Sequence, residues 1–302
     1  MTGGTGLIGR ALAASLAADG VETIVLTRDP ARAEASLPPL PPTVRAERWD
    51  GRTAEGWVRL IDASTGIVHL AGEGIAEGRW TEKRKLRIRD SRTVSGRAVL
   101  AAIREAKEKP FALLQASAVG WYGPRGDEEI GEDESAGTSF LASVCVEWEA
   151  STAEVEALGV RRAILRTGLV LAREGGALAK MLLPAKLGGG GPIGSGRQGF
   201  PWIHLDDEVG AIRFLLERQD ARGPFNLTAP HPVAQREFAR ALGRVLHRPA
   251  FLPAPAFALR LALGELADAL LDGHFVVPRR LLTLGYGFKF PDLDGALVDL
   301  LR

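Results

Sequence analysis

The sequence predicts an α/β fold: a doubly wound parallel sheet carrying a small, mainly helical C-terminal lobe. Three observations predict it. β-branched apolar runs alternate with longer helical patterns as far as about residue 170. Overlapping glycine spacings open an amphipathic helix close to Met1. Beyond about residue 175 the alternation weakens, and the chain closes on a Pro-containing boundary, Arg248 to Pro255, followed by helical sequence ending at Leu301.

In order, the apolar runs predict strands at Glu22–Thr27, Val44–Arg48, Gly66–Ala71, Phe111–Ser117 and Val160–Thr167. Helical patterns fall at Ile8–Ala18, Thr53–Ala63, Thr81–Lys107 and Ser139–Leu158. In the long helix Leu86, Val94, Ala98, Leu100, Ala101 and Ile103 stand among many arginines and lysines, which describes a half-exposed helix. Its basic face reads as solvated surface; the alternative is that one of its arginines reaches a phosphate. The expected organisation is a dinucleotide-binding core over 1–170, a mixed segment over 171–247 that completes the core and a substrate cleft, and a small domain over 248–302. The glycine-rich stretch Leu187–Gly199 predicts a mobile loop, either a close approach to a ligand or a flexible connector.

Composition narrows the function classes. With 46% hydrophobic residues in 302, the chain buries a large core without disulfide or metal staples. Its 38 basic and 37 acidic residues leave a formal charge of +1, so it lacks the field of a non-specific nucleic-acid binder. The lone Cys145 forms no internal disulfide and reads as a small buried hydrophobe. No apolar run reaches the length of a bilayer span, and Arg260, Glu265 and Asp268 interrupt the best candidate. A secretory signal is not visible either, so the expectation is a cytoplasmic protein with a small-molecule substrate and neither nucleic acid nor membrane as partner.

The chemistry begins at Thr2-Gly3-Gly4-Thr5-Gly6-Leu7-Ile8-Gly9, where Gly4, Gly6 and Gly9 give GxGxxG and Gly3, Gly6 and Gly9 give GxxGxxG. Such glycines permit a tight turn, let backbone amides approach a pyrophosphate, and place it at a helix N-terminus. About 20 residues on, a strand ends in Thr27-Arg28-Asp29. An acidic residue there would bind the ribose hydroxyls of NAD, and a basic one the 2′-phosphate of NADP. Arg28 directly follows the apolar strand, which favours NADP. The motif demands a strand before the glycines, yet the chain begins at Met1, so the expectation is that a few upstream residues of a central strand are missing.

Together with this motif, His69-Leu70-Ala71-Gly72 and Ser117-Ala118-Val119-Gly120-Trp121-Tyr122-Gly123 resemble the extended short-chain dehydrogenase/reductases. Trp202-Ile203-His204-Leu205-Asp206-Asp207 and Leu281–Leu301, with Phe290-Pro291-Asp292-Leu293, resemble their atypical branch, the epimerase family of NAD(P)-binding proteins. The resemblance implies a Rossmann core with a small C-terminal substrate lobe. It implies cofactor contacts at Gly3, Gly4, Thr5, Gly6, Leu7, Ile8, Gly9, Thr27, Arg28, Leu70, Ala71 and Gly72.

Orthodox members use a Ser or Thr, a Tyr, and a Lys four residues after it, and this chain has no YxxxK. The Tyr slot holds Phe140 or Leu141, and the Lys slot Val144 or Cys145, depending on register. Ser117 and Tyr122 are the remaining catalytic candidates, although ungapped alignment on Gly123 puts Ala118 in the serine place. Arg166, Gln198 and Trp202 are candidate substrate contacts. His204 reads as part of a strand-to-helix turn with Asp206 as the helix cap. The acidic run Asp127–Glu134 reads as a solvated loop, with no metal site. Two functions follow: an NADP-dependent oxidoreductase or epimerase of a small polar substrate with non-standard catalytic residues, or a non-catalytic NADPH-binding regulatory or scaffold protein.

Overall fold

Alternating apolar runs and amphipathic stretches build one main parallel sheet in the computed structural model, which describes residues 1–36 and 43–302. Its strands are β1 (Thr23–Thr27), β2 (Val44–Arg48), β3 (Gly66–His69), β4 (Ala112–Ala118), β5 (Arg161–Thr167) and β6 (Gly223–Leu227). They lie in the order β2-β1-β3-β4-β5-β6, with Thr23 opposite Val44, Gly66 opposite Ala112, Ala112 opposite Arg161, and Gly223 opposite Ala163. Between β1 and β3, Thr2 bridges in parallel to both Leu26 and His69. The Thr2 amide donates to Val68 O at 3.0 Å, and Leu26 N donates to Met1 O at 2.8 Å. Among the described residues, Met1 and Thr2 alone stand in this middle position, where the glycine motif requires a strand.

β6 was not expected from the sequence, because Gly223 and Pro224 argue against a strand. It lies at the sheet edge, where a missing proline N–H costs no ladder hydrogen bond. The helices around the sheet are α1 (Leu7–Ala18), α2 (Pro30–Ser36), α3 (Glu82–Glu105), α4 (Phe140–Ala150), α5 (Gly176–Lys186) and α6 (Leu205–Glu217). Thr81 and Ser139 cap α3 and α4, each hydroxyl accepting from an amide three residues on at 3.2 Å.

Two helix expectations need correction. Thr53–Ala63 shrinks to a 3₁₀ turn at Val58–Leu60. The Asp50 carboxylate takes the amides of Arg52 and Thr53 at 2.7 and 2.9 Å, and the indoles of Trp49 and Trp57 both donate to Thr53 O, so local side chains win the backbone groups a helix needs. Ser139–Leu158 breaks after Ala150: the Ser151 hydroxyl donates to Trp148 O at 2.6 Å, and the chain continues as a 3₁₀ helix over Ala153–Leu158.

Both faces of the sheet are buried, as parallel strands require. On one, Leu12 and Leu16 of α1 and Ile212 and Leu215 of α6 pack on Leu114, Leu165 and Phe225. On the other, Val99, Ala102 and Ile103 of α3 pack on Ile67 and Leu113. A third cluster joins Leu178 of α5 and Trp202 to α7 (Gln235–Leu246) and, further on, to the C-terminal helix Leu293–Leu301. Among the described residues, no helix is long and apolar enough to cross a membrane.

Candidate functional site

The glycine turn leads from the stub in the middle of the sheet into α1. Gly3 has φ +68°, and a Cβ there would stand 2.7 Å from Leu70 C and O. A Cβ on Gly9 would stand 2.3 Å from Gly3 O, so turn and helix approach too closely for a side chain. The Gly6 amide donates to Gly3 O at 3.0 Å, closing the turn. Gly6 is the N-cap of α1, no side chain caps the helix, and its first turn holds no acidic residue. The amides of Leu7 and Ile8 therefore open a helix that lacks a protein acceptor, the arrangement that receives an anion. Thr5 is exposed, and its carbonyl takes the Arg10 guanidinium at 3.1 Å.

At the tip of β1 the structure separates the two residues the sequence left in competition. Asp29 Oδ1 accepts the Arg32 amide at 3.1 Å and caps α2. Thr27 Oγ1 accepts from Asp29 N at 3.4 Å. Arg28 is exposed and its guanidinium has no partner among the described residues. A third wall follows β3: Ala71 N donates to Thr2 Oγ1 at 3.2 Å, and that hydroxyl pairs with His69 Nδ1 at 2.8 Å. Complete burial lowers His69 to about 4, so its ring is neutral near pH 7. Glycine turn, β1 tip and Leu70-Ala71-Gly72 thus lie together around one end of the sheet, as Gly3 packing on the Leu70 backbone requires.

The remaining candidates sit in a closed network. The Ser117 hydroxyl donates to Glu149 Oε1 at 2.6 Å. Arg166 forks onto the same carboxylate, Nε to Oε1 at 3.0 Å and Nη2 to Oε2 at 3.1 Å, and its Nη1 donates to Tyr122 Oη at 3.2 Å. The Tyr122 hydroxyl in turn donates to Asn226 Oδ1 at 2.6 Å. Glu132 Oε1 accepts the amides of Asn226 and Arg280 at 3.0 and 3.2 Å. Burial pushes the Tyr122 hydroxyl and the Glu132 carboxyl up from their ordinary values. Tyr122 is fully buried, with both donor and acceptor roles used. Ser117 and Arg166 are buried too, so none of the three offers a free group to a ligand.

The slots for the tyrosine and lysine lie at the start of α4. Phe140 and Leu141 carry no ionisable group, Val144 is buried, and burial pushes the Cys145 thiol up to about 11, which removes it as a proton carrier near neutrality. Sequence reasoning missed Glu149, Asn226 and the burial of Glu132. For Glu149 a signal existed: it is a carboxylate on the helix face that also carries Cys145 and Trp148, both buried.

Trp202 is 1% exposed in the third core cluster, and so is packing rather than cleft lining. Gln198 donates to Ile193 O at 3.0 Å and Leu270 O at 3.2 Å, tying the glycine loop to the C-terminal helices. That loop is pinned further by Gly194 N to Ala254 O at 2.9 Å and Ile193 N to Gln235 Oε1 at 2.8 Å. The cap of α6 is His204, whose Nδ1 accepts the Asp206 amide at 3.0 Å; Asp206 instead pairs with Lys289 at 2.6 Å. Asp207, buried, accepts the amides of Lys289 and Phe290 at 2.7 and 2.8 Å, and His204 stacks on Phe290 at 3.9 Å. Two sequence motifs, Trp202–Asp207 and Phe290–Leu293, are therefore one structural joint. Of the acidic residues in that run only Glu132 is buried, and no cluster able to hold a metal ion exists among the described residues.

Residues 1–228 match the NAD dependent epimerase/dehydratase family, and residues 254–300 match a domain of unknown function, DUF1731. The chain belongs to the NAD dependent epimerase/dehydratase family. Within it, the chain is 38% identical to the epimerase family protein YfhF of Bacillus subtilis, over all of this chain and 97% of that protein. It is 40% identical to the chloroplastic SDR39U1 homologue of Arabidopsis thaliana, over all of this chain and 86% of that one. Among solved structures, human epimerase family protein SDR39U1 with NADPH superposes with a TM-score of 0.86 at 34% identity, covering 99% of this chain and 97% of that one. UDP-glucose 4-epimerase of Thermus thermophilus with NAD, at 20% identity and TM-score 0.77 over 99% of this chain and 96% of that one, shares the fold.

Proposed function

We propose that this family member binds NADPH at the glycine turn and uses it in reduction or epimerisation of a small polar substrate. The observation that carries the nucleotide choice is the division of labour at the β1 tip. Asp29 spends a carboxylate oxygen on capping α2, while Arg28 stands exposed with no partner among the described residues. The residues fit the cofactor. The Gly3–Gly9 approach leaves no room for a side chain but leaves the α1 amides for the pyrophosphate, and Arg28 supplies a guanidinium for a 2′-phosphate. The relative crystallised with NADPH supports the same choice.

NADPH supplies a hydride when bound; the chain's part is to hold it and to orient the substrate. Proton transfer falls to water or to the substrate's own groups, because Tyr122 is locked between Asn226 and Arg166 and the tyrosine and lysine slots are apolar or unreactive. The same vacancy favours a second reading, a non-catalytic NADPH-binding regulatory protein. Fluorescence titration of NADPH and NADH tests the binding, and absorbance at 340 nm with a panel of carbonyl compounds and sugar nucleotides separates the two readings. Turnover of any panel member removes the second. Absence of NADPH binding by the folded protein removes both.

A further inference from the structure

The basic face of α3 is not uniform. Arg84 pairs with Glu73 at 2.6 Å, Arg89 with Asp90 at 3.3 Å and Arg104 with Glu154 at 2.5 Å, and Arg97 is exposed. Arg92 differs from all of them. It is half-buried, with its guanidinium over the Trp148 ring at 5.0 Å, and no carboxylate among the described residues pairs with it. One nitrogen anchors it: Nη1 donates to Glu73 O at 3.1 Å and Ile88 O at 2.9 Å. Among the described residues, Nε and Nη2 have no hydrogen-bond partner, and neither is a buried orphaned atom, so this edge reaches solvent.

What keeps the edge open is Gly72. A Cβ at that position would stand 3.2 Å from Arg92 Cζ and 3.4 Å from both Nε and Nη2, covering the two unused donors. Gly72 does not lie in the left-handed region, so its backbone does not demand glycine; a side chain there would crowd the guanidinium and make Arg92 give by a few tenths of an ångström. The Nε and Nη2 N–H groups point in parallel, the geometry that grips the two oxygens of a carboxylate or phosphate. A guanidinium keeps its charge in any environment a protein offers, so a half-buried unpaired one is stabilised by an incoming anion. The edge faces Gly72 of the Leu70-Ala71-Gly72 wall of the cofactor cleft, and its helix packs on α4, which carries Val144 and Cys145, the two alternatives for the lysine slot.

We infer that the open Nε–Nη2 edge of Arg92, uncovered by Gly72, is an oxyanion subsite that takes the carboxylate or phosphate of a substrate lying beside the cofactor. This deepens the proposed function and rests on it for the word substrate. The subsite itself rests on Arg92 and Gly72 alone.

The test is calorimetric titration of inorganic phosphate, and separately of acetate, into NADPH-saturated protein. It compares wild type, Arg92→Lys, which keeps the charge but loses the fork, Arg92→Gln, and Arg97→Gln as an exposed control on the same helix. NADPH affinity and circular dichroism are measured first for each. Wild type and R97Q are expected to bind phosphate saturably, with affinity down about tenfold in R92K and lost in R92Q. If R92Q fails to fold, R92K carries the comparison. Equal phosphate binding by wild type and the Arg92 variants, or none by wild type, overturns the subsite. A loss of NADPH affinity in R92Q as large as the loss of phosphate affinity also overturns it, because the edge then serves the cofactor's own phosphate. Failure of wild type to bind NADPH would remove the functional reading only, since the same titration on nucleotide-free protein still reads Arg92.

Discussion

At the glycine turn the amides that open α1 have no capping side chain and Arg28 has no partner among the described residues, whereas the Ser117–Glu149–Arg166–Tyr122 network spends nearly every polar group on another. Both regions attract notice in the sequence, one by glycine spacing and the other by family resemblance. The difference teaches that unspent hydrogen-bonding capacity marks where a ligand goes, while satisfied capacity marks where the fold is braced. Glu132 Oε2 is the one orphaned oxygen of the network, buried beyond reach of solvent.

If the network is a brace, breaking it costs stability. Glu149→Gln leaves the buried Arg166 charge uncompensated, and a loss of about 3–5 kcal/mol in urea unfolding is expected. A loss below about 1 kcal/mol would show the network to be incidental. The complementary break is Gly9→Val. With a Cβ 2.3 Å from Gly3 O the turn must open, and NADPH affinity is expected to fall about 100-fold or more in a protein whose circular dichroism still shows the fold. Retained affinity would mean that the glycines do not form the cradle.

Much of the first region was legible because steric need writes directly into sequence: close approach excludes every residue but glycine, so Gly3, Gly6 and Gly9 announce it. The sheet was legible for the same kind of reason, since its central strands, buried on both faces, read as apolar runs; the edge strand Val44–Arg48, only partly buried, also matches in both bounds. The second region was legible only in its members Ser117, Tyr122 and Arg166, and its closure into a network was not. Arg166, Glu149 and Asn226 meet from β5, α4 and β6, and a polar residue's partner across the fold leaves no local pattern. Arg166 and Trp202 are candidate substrate contacts by sequence, but the burial of each is decided by tertiary partners. Edge strand β6 and the unwinding of Thr53–Ala63 escaped because Pro224 is tolerated only at an edge, and Asp50 outcompetes a helix.

A smaller effect sharpens the comparison at its ambiguous residue. Tyr122→Phe removes a hydroxyl that donates to Asn226 and accepts from Arg166, and about 1–3 kcal/mol of stability is expected to go with it. Loss of turnover without loss of stability would instead restore Tyr122 as a proton donor.

A separate check on the interior is a pH slope. Complete burial raises Glu208 from 4.5 to about 8, with Thr167 Oγ1 donating to it at 2.8 Å. The folded protein keeps that proton between pH 4.5 and 8 while the unfolded chain has released it, so this group's contribution falls as pH rises through that window. Glu208→Gln is expected to flatten the decline of thermal stability from pH 5 to 8, and an unchanged slope would place the titration elsewhere.

The most direct measurement is the pair of dissociation constants for NADPH and NADH, by nucleotide fluorescence, in wild type and Arg28→Glu. Wild type is expected to bind NADPH about tenfold or more tightly than NADH, with Arg28→Glu reversing the order by repelling the 2′-phosphate. Equal affinities in wild type, or a preference for NADPH that survives the substitution, would contradict the account.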